Sequence, residues 1–163
     1  ITLYIFNYMS KLVDKQKIIA IDPGQAGGIA ILSFDGELLD VKKMPDTPKE
    51  LLDYLSEWSE NSVCYLEKVG GIPGMGASKM FNFGKGFGHL EMALLSLGIK
   101  TIEVTPQKWQ KALQLGNKGR SSSTEWKNKL KARAQQLYPR VKVTLDISDA
   151  LLILEYARLV ERS

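Results

Sequence analysis

The sequence predicts one α/β domain in which a mixed sheet of five strands is flanked by helices. The first half begins with three short apolar runs separated by turn signals, which predict an antiparallel meander. Strand-like runs then alternate with helical periodicity, as is typical of a sheet with helices on its faces. The chain has 163 residues, 44% of them hydrophobic and 25% charged, which is ordinary for a single globular domain.

The meander begins with a β-branched run at residues 17–21 (KIIAI), which favours a buried strand. This run ends in an Asp-Pro-Gly turn signal at residues 22–24. A second apolar run covers residues 28–34. The Asp-Gly pair at residues 35–36 then predicts a hairpin into a third strand at residues 37–43.

A helix is predicted after the meander, with Thr47 as its N-cap, Pro48 at its first position and Glu50 completing a capping box. Its buried side chains are predicted to be Leu51, Leu52, Leu55 and Trp58. The later elements are a strand at 61–66 followed by Glu67, a glycine-rich loop at 70–76, a helix at 78–97, a strand at 100–104, and helices at 106–113, 124–137 and 147–160.

The charge of the chain is mildly basic, with a formal net charge of +4 and a pI of about 9.1. Residues 108–140 carry nine lysines and arginines against one acid, Glu125. Such a concentration favours a polyanionic partner, although a solvated helical face is the alternative. Cys64 is the one cysteine, which excludes an intrachain disulfide and favours a reducing compartment such as the cytoplasm.

The first residues stand apart from the predicted domain. Residues 1–8 are apolar but too short to span a bilayer, and they lack the features of a signal peptide. We expect residues 1–16 to be an extension partly outside the fold, and residues 17–163 to form the domain. No later stretch is apolar for long enough to cross a membrane.

Four carboxylates are predicted to meet at one edge of the sheet. Asp22 ends the first strand and Glu67 ends the fourth, so the two acids meet if these strands are adjacent and parallel. Asp146 and Asp149 are three residues apart near a helix start, where they share a face and lie at the positive end of the helix dipole. Each acid alone is also explained as a turn residue, a strand end or a helix cap.

A crowded group of carboxylates requires cations to neutralise it. Oxygen ligands without His or Cys select hard ions such as Mg²⁺ or Mn²⁺. Two such ions can activate a water and stabilise the leaving oxygen in phosphodiester cleavage. The carboxylates therefore predict a metal-dependent nuclease.

The ordered motifs resemble the RuvC family of Holliday junction resolvases, which have an RNase H-like fold. The segments that carry the resemblance are IDPG at 21–24, YLEKV at 65–69, FNFGKGFG at 81–88, VTPQKWQKAL at 104–113 and DISDALLI at 146–153. They extend over nearly the whole predicted domain. Some relatives have a histidine or a differently spaced acid in the last motif, where this sequence has Leu145 and Asp146.

The resemblance implies a homodimer that makes paired symmetric nicks in four-way DNA junctions, with two Mg²⁺ ions (or Mn²⁺) in each active site. It implies that Asp22, Glu67, Asp146 and Asp149 are the metal ligands and that Lys127 assists catalysis. It also implies that the glycine-rich loop reaches the junction and that the helix at 78–97 contributes to the dimer interface. The expected DNA contacts are Ile72, Met75, Lys79, Lys118, Arg120, Lys127 and Lys131.

Several alternatives remain open at the level of sequence. The glycine-rich loop could be a plain connection, the phenylalanines near Phe83 could be core, and Trp109 and Trp126 are expected to be packing residues. Other functions are an RNase H-like nuclease for branched or flap DNA, a phosphate-binding domain related to actin and sugar kinases, and a binding module without activity. The single histidine, His89, cannot build an imidazole metal site.

Overall fold

The computed structural model describes residues 16–71 and 74–163, and its centre is a five-stranded mixed sheet. The strand order is β3-β2-β1-β4-β5. Strands β1, β2 and β3 form the predicted antiparallel meander, whereas β4 and β5 run parallel to β1. The strands are β1 (Lys17–Asp22), β2 (Gly28–Leu32), β3 (Leu38–Lys43), β4 (Ser62–Glu67) and β5 (Lys100–Val104).

Five helices are described, and they cover both faces of the sheet. They are α1 (Pro48–Trp58), α2 (Ala77–Ser96), α3 (Pro106–Ala112), α4 (Ser123–Leu137) and α5 (Leu145–Glu161). The α/β prediction is therefore confirmed. Helix α5 begins two residues earlier than predicted, so Asp146 lies inside its first turn, where an acid is favoured by the helix dipole.

Two hydrophobic layers hold the helices against the sheet. Alternate residues of β1, β2 and β4 point to opposite faces, as a strand period of two requires. Ile19, Ile21 and Leu66 pack beneath α1 and α2. Ala20 and Tyr65 face the other way, into the layer that is covered by α3, α4 and α5.

Helix α1 has the predicted capping box, in which Thr47 and Glu50 exchange hydrogen bonds. Leu51 and Leu55 are buried as predicted, and Trp58 packs partly buried against the same layer. The prediction for Leu52 was wrong, because this side chain is 41% exposed and Tyr54 is buried in its place. Positions 51, 54 and 55 share one helical face that position 52 does not.

The predicted extension at residues 1–16 lies outside the described residues, apart from its last position. Within the described ranges, no helix combines the length and the apolar character that a membrane crossing needs.

Candidate active site

Strand parity brings Asp22 and Glu67 together. The pairing register of β1 and β4 sets Ile21 opposite Leu66. The next residue of each strand, Asp22 in β1 and Glu67 in β4, therefore lies beside the other. Both acids follow the side-chain alternation of Ala20 and Tyr65, which directs them to the face covered by α3, α4 and α5. The condition under which the two acids were expected to meet, adjacent and parallel strands, is thus fulfilled.

Asp22 and Glu67 lie close enough to shift each other's pKa values. Burial raises the pKa of Asp22 well above its usual range, and the nearby charges of Glu67 and Asp149 raise it further. Burial likewise raises the pKa of Glu67 to about 7, and the hydrogen bonds that it accepts from Trp109 and Asp22 oppose the increase. Both carboxyl groups therefore favour their neutral forms more than free acids do, as expected of buried neighbouring carboxyls.

Close packing of the first turn of α5 against β2 brings in the third acid. Gly28 pairs with Asp22 across the sheet. A Cβ at position 28 would lie 2.7 Å from the carbonyl oxygen of Asp146 and 2.9 Å from that of Lys42. Only glycine therefore allows α5 to approach so closely that Asp149, one turn further on, reaches the carboxyl pair.

Asp149 interacts with the pair through its charge. Burial raises its pKa, while a hydrogen bond from Ser148 and the ammonium of Lys127 oppose the increase. Ser148 is itself buried and also donates to the carbonyl oxygen of Leu145. Three half-buried carboxylates thus crowd one place at the carboxyl edge of the sheet.

Lys127, near the start of α4, is the cation that faces this cluster. Its ammonium lowers the pKa values of both Asp22 and Asp149. The helix start is fixed by a second capping box, in which Ser122 and Glu125 exchange hydrogen bonds. The lysine that was predicted to assist catalysis therefore lies at the carboxylates.

Trp109 belongs to this site in a way that sequence reasoning did not predict. Its indole Nε1–H donates to Glu67 Oε1 at 2.9 Å. The ring is only 1% exposed, as expected of a packing residue. A buried indole N–H left unpaired would cost roughly 1–3 kcal/mol, and this requirement for a partner is the signal that could have pointed to a nearby acid.

Asp146 does not join the cluster through a hydrogen bond or ion pair in the described part of the chain, so its role as a ligand stays a prediction. In residues 16–71 and 74–163, no group of three or more His, Cys, Asp or Glu side chains is arranged to hold a metal ion. The carboxylate oxygens of Asp22, Glu67 and Asp149 are nevertheless donors of the chemical kind that a hard cation prefers, and the charges of Glu67 and Asp149 both act on Asp22.

Most of the predicted DNA contacts have exposed side chains. Lys118, Arg120 and Lys79 are exposed, and Lys118 Nζ donates to Ser123 Oγ at 2.8 Å. Met75 and Lys131 are half-buried. Lys131 follows Lys127 by one helical turn and shares its face. The remaining predicted contact, Ile72, lies outside the described residues.

Helix α2 presents an apolar stripe to solvent. Phe81, Met92 and Leu95 are 72%, 61% and 74% exposed. The core alternative was therefore wrong for Phe81, whereas Phe87 does pack partly buried against the layer under α1 and α2. The half-buried Phe83 reaches back over the Asp-Pro-Gly turn, 3.1 Å from where a Cβ of Gly24 would lie.

Comparison with protein-family models finds no match to this sequence, and comparison with curated protein sequences finds none either. Solved structures do match. RuvC of Thermus thermophilus in complex with a Holliday junction substrate superposes with a TM-score of 0.60 at 15% identity, covering 91% of this chain and 96% of that one. A second structure of Thermus thermophilus RuvC gives 0.58 at 17% identity, covering 90% and 96%. The chain described here has the RNase H-like fold of RuvC.

Proposed function

We propose that this chain is a DNA endonuclease that resolves four-way junctions by paired nicks, using divalent cations. The observation that carries the proposal is the convergence of Asp22, Glu67 and Asp149 with Lys127 at one sheet edge. The RuvC fold supports the junction as substrate, because one of the matching structures contains a Holliday junction.

Asp22, Glu67 and Asp149 would hold the cations, with Asp146 as a further proposed ligand. When bound, two hard cations lower the pKa of an attacking water and stabilise charge on the leaving oxygen. Cation binding requires these carboxyl groups in their ionised form, because a metal ligand must be deprotonated. Lys127 supplies positive charge at the same place, where it can attract the scissile phosphate.

Basic side chains around the site support binding of a nucleic acid backbone. Lys127 and Lys131 lie on one face of α4, and Lys118 and Arg120 lie in the exposed loop before it. Lysine makes point-charge contacts with phosphates, which fix the position of DNA without reading its sequence. Met75, in the loop before α2, and Lys79, in its first turn, remain proposed junction contacts.

A homodimer would give the two active sites that paired nicks need. Phe81, Gly84, Gly88, Met92 and Leu95 follow a spacing of three to four residues and therefore share one face of α2. A Cβ added at either glycine would meet open space, so the face is free to receive another helix closely. This stripe supports self-association through α2.

The association state tests the dimer. Leu95→Glu should convert a dimer to a monomer in analytical ultracentrifugation, because it sets a charge on the apolar face proposed to form the interface. Leu52→Glu is the control, since Leu52 is an exposed leucine of α1. A parent protein that sediments as a monomer at all accessible concentrations would contradict the dimer.

Cleavage tests the function itself. The protein should cut mobile and immobile four-way junctions with Mg²⁺ or Mn²⁺, and cut duplex and flap DNA far more slowly. Asp22→Asn should abolish cleavage and keep junction binding. Asp53→Asn is the matched control, because its exposed ion pair with Lys49 contributes little.

The possible failures of that assay differ in meaning. Cleavage by Asp22→Asn at the rate of the parent would refute the proposed active site. Equal cleavage of flaps would favour the broader branched-DNA nuclease. No cleavage of any DNA, together with hydrolysis of a nucleoside triphosphate, would favour the kinase-like alternative.

A further inference from the structure

Trp109 connects the hydrophobic core to the carboxylate cluster. The register between β4 and β5 sets Glu67 opposite Val104, so α3 begins beside Glu67. Thr105 caps this helix, and Trp109 enters the core one turn later. The ring is 1% exposed in the layer that also contains Leu113. The packing holds the indole rigidly.

The contact with Glu67 restricts the carboxylate. An indole has a single donor and no acceptor, so Nε1–H can serve only an acceptor that faces it. The donor lies 2.9 Å from Oε1 of Glu67. Glu67 therefore cannot change its rotamer without breaking this hydrogen bond and leaving a buried N–H unpaired.

We propose that Trp109 is a positioning residue that fixes the orientation of Glu67 for a divalent cation. The proposal rests on the proposed function, because it assumes that Glu67 binds a cation. Carboxylates that ligate metals are usually hydrogen-bonded themselves, and loss of such a partner typically costs about 10- to 100-fold in metal affinity or activity. Trp109 acts on the cation only through Glu67.

The decisive measurement is the dissociation constant of Mn²⁺ in the absence of DNA. Binding is monitored through the electron paramagnetic resonance signal of the free ion. Trp109→Phe removes the N–H and keeps an aromatic ring in the core. It should weaken Mn²⁺ binding by about 10-fold or more. Junction binding in EDTA should stay within twofold of the parent, since no phosphate contact has changed.

Trp58→Phe is the matched control. Trp58 lies at the end of α1 and packs on the opposite face of the sheet. The same atoms are deleted there, so a general effect of losing an indole would appear in both variants. The proposal expects Mn²⁺ binding to change in Trp109→Phe and to stay unchanged in Trp58→Phe.

The outcomes separate this inference from the function on which it rests. A parent protein that binds no Mn²⁺ overturns both the metal dependence and the role of Trp109. A parent that binds Mn²⁺ while folded Trp109→Phe binds it within twofold overturns the role of Trp109 alone. Equal weakening in both tryptophan variants also overturns it.

A measurement on the unaltered protein covers the case in which Trp109→Phe does not fold. The sequence has three tryptophans, so its indole N–H resonances form a small, assignable set. The resonance of Trp109 should shift on titration with Mg²⁺, because its acceptor gains a cation. The resonance of Trp58 should stay in place. A Trp109 resonance that does not move at saturating Mg²⁺ would refute the proposal.

Discussion

Replacing Glu67, a proposed metal ligand, should stabilise the metal-free protein at alkaline pH. The ordinary pKa of a glutamate is 4.5, and burial raises that of Glu67 to about 7 in the folded chain. A raised pKa means that the native state disfavours the ionised form. The stability that Glu67 contributes is therefore fully present below about pH 4.5 and is lost as the pH rises through about 7.

The loss is large for one side chain. The interval between 4.5 and about 7 corresponds to roughly 3 kcal/mol, since a tenfold change in a protonation equilibrium is about 1.4 kcal/mol. Glu67→Gln keeps the shape and an acceptor for Trp109 but has no charge. At pH 8 in EDTA it should raise the free energy of unfolding by roughly 3 kcal/mol, which is roughly 6–12 °C in Tm for a domain of this size.

Urea denaturation in EDTA at pH 5, 6.5 and 8 measures the effect. The parent should lose stability across this series, and the Glu67→Gln variant should lose less. Glu60→Gln changes an exposed glutamate beyond the cluster and should follow the parent. A parent whose unfolding free energy is the same at pH 5 and pH 8 would show that the carboxylates are not crowded, and the account of the site would be wrong.

Three further predictions concern neighbours of the carboxylates. Gly28→Ala should destabilise the fold by about 1–3 kcal/mol, because the added Cβ overpacks the contact with the start of α5. Molecules that remain folded should cleave more slowly, because the start of α5 is displaced. A fully active variant would refute this close approach. Lys127→Met should change the unfolding free energy by less than about 1 kcal/mol, because the side chain is exposed. It should nevertheless slow single-turnover cleavage roughly 10²- to 10³-fold. Unchanged cleavage would show that Lys127 does not belong to the site. Lys131→Ala should weaken junction binding equally for different sequences and reduce the slope of log Kd against log salt by about 1, whereas an unchanged slope would exclude a phosphate contact.

Much of the fold could be predicted from local chemistry. β-Branched runs bounded by turn signals predicted the strands, and the capping box at Thr47 predicted one helix start. Leu52 was assigned to the core because apolar residues occupy more of α1 than the width of its buried face. A sequence pattern alone does not say which edge of a wide apolar stripe meets the sheet.

The candidate site was predictable in part for the same reason. Asp22 and Glu67 each end a strand, so the order of the motifs was enough to predict that the two acids lie at one edge of the sheet. The contact of Trp109 with Glu67 joins residues 42 positions apart, and it depends on the register between β4 and β5. The need for glycine at position 28 depends on how closely α5 docks, which is a property of the tertiary packing.

Because of the hydrogen bond from Trp109 to Glu67, substitutions in the two hydrophobic layers should have different effects on the carboxylates. Changes in the layer beneath α3, α4 and α5 will be transmitted through the indole to the acidic end of β4. In the described residues, no buried hydrogen bond of this kind joins the layer beneath α1 and α2 to Glu67, so thermostabilising substitutions there should disturb this carboxylate less. The two sides of one sheet thus offer different freedom for redesign.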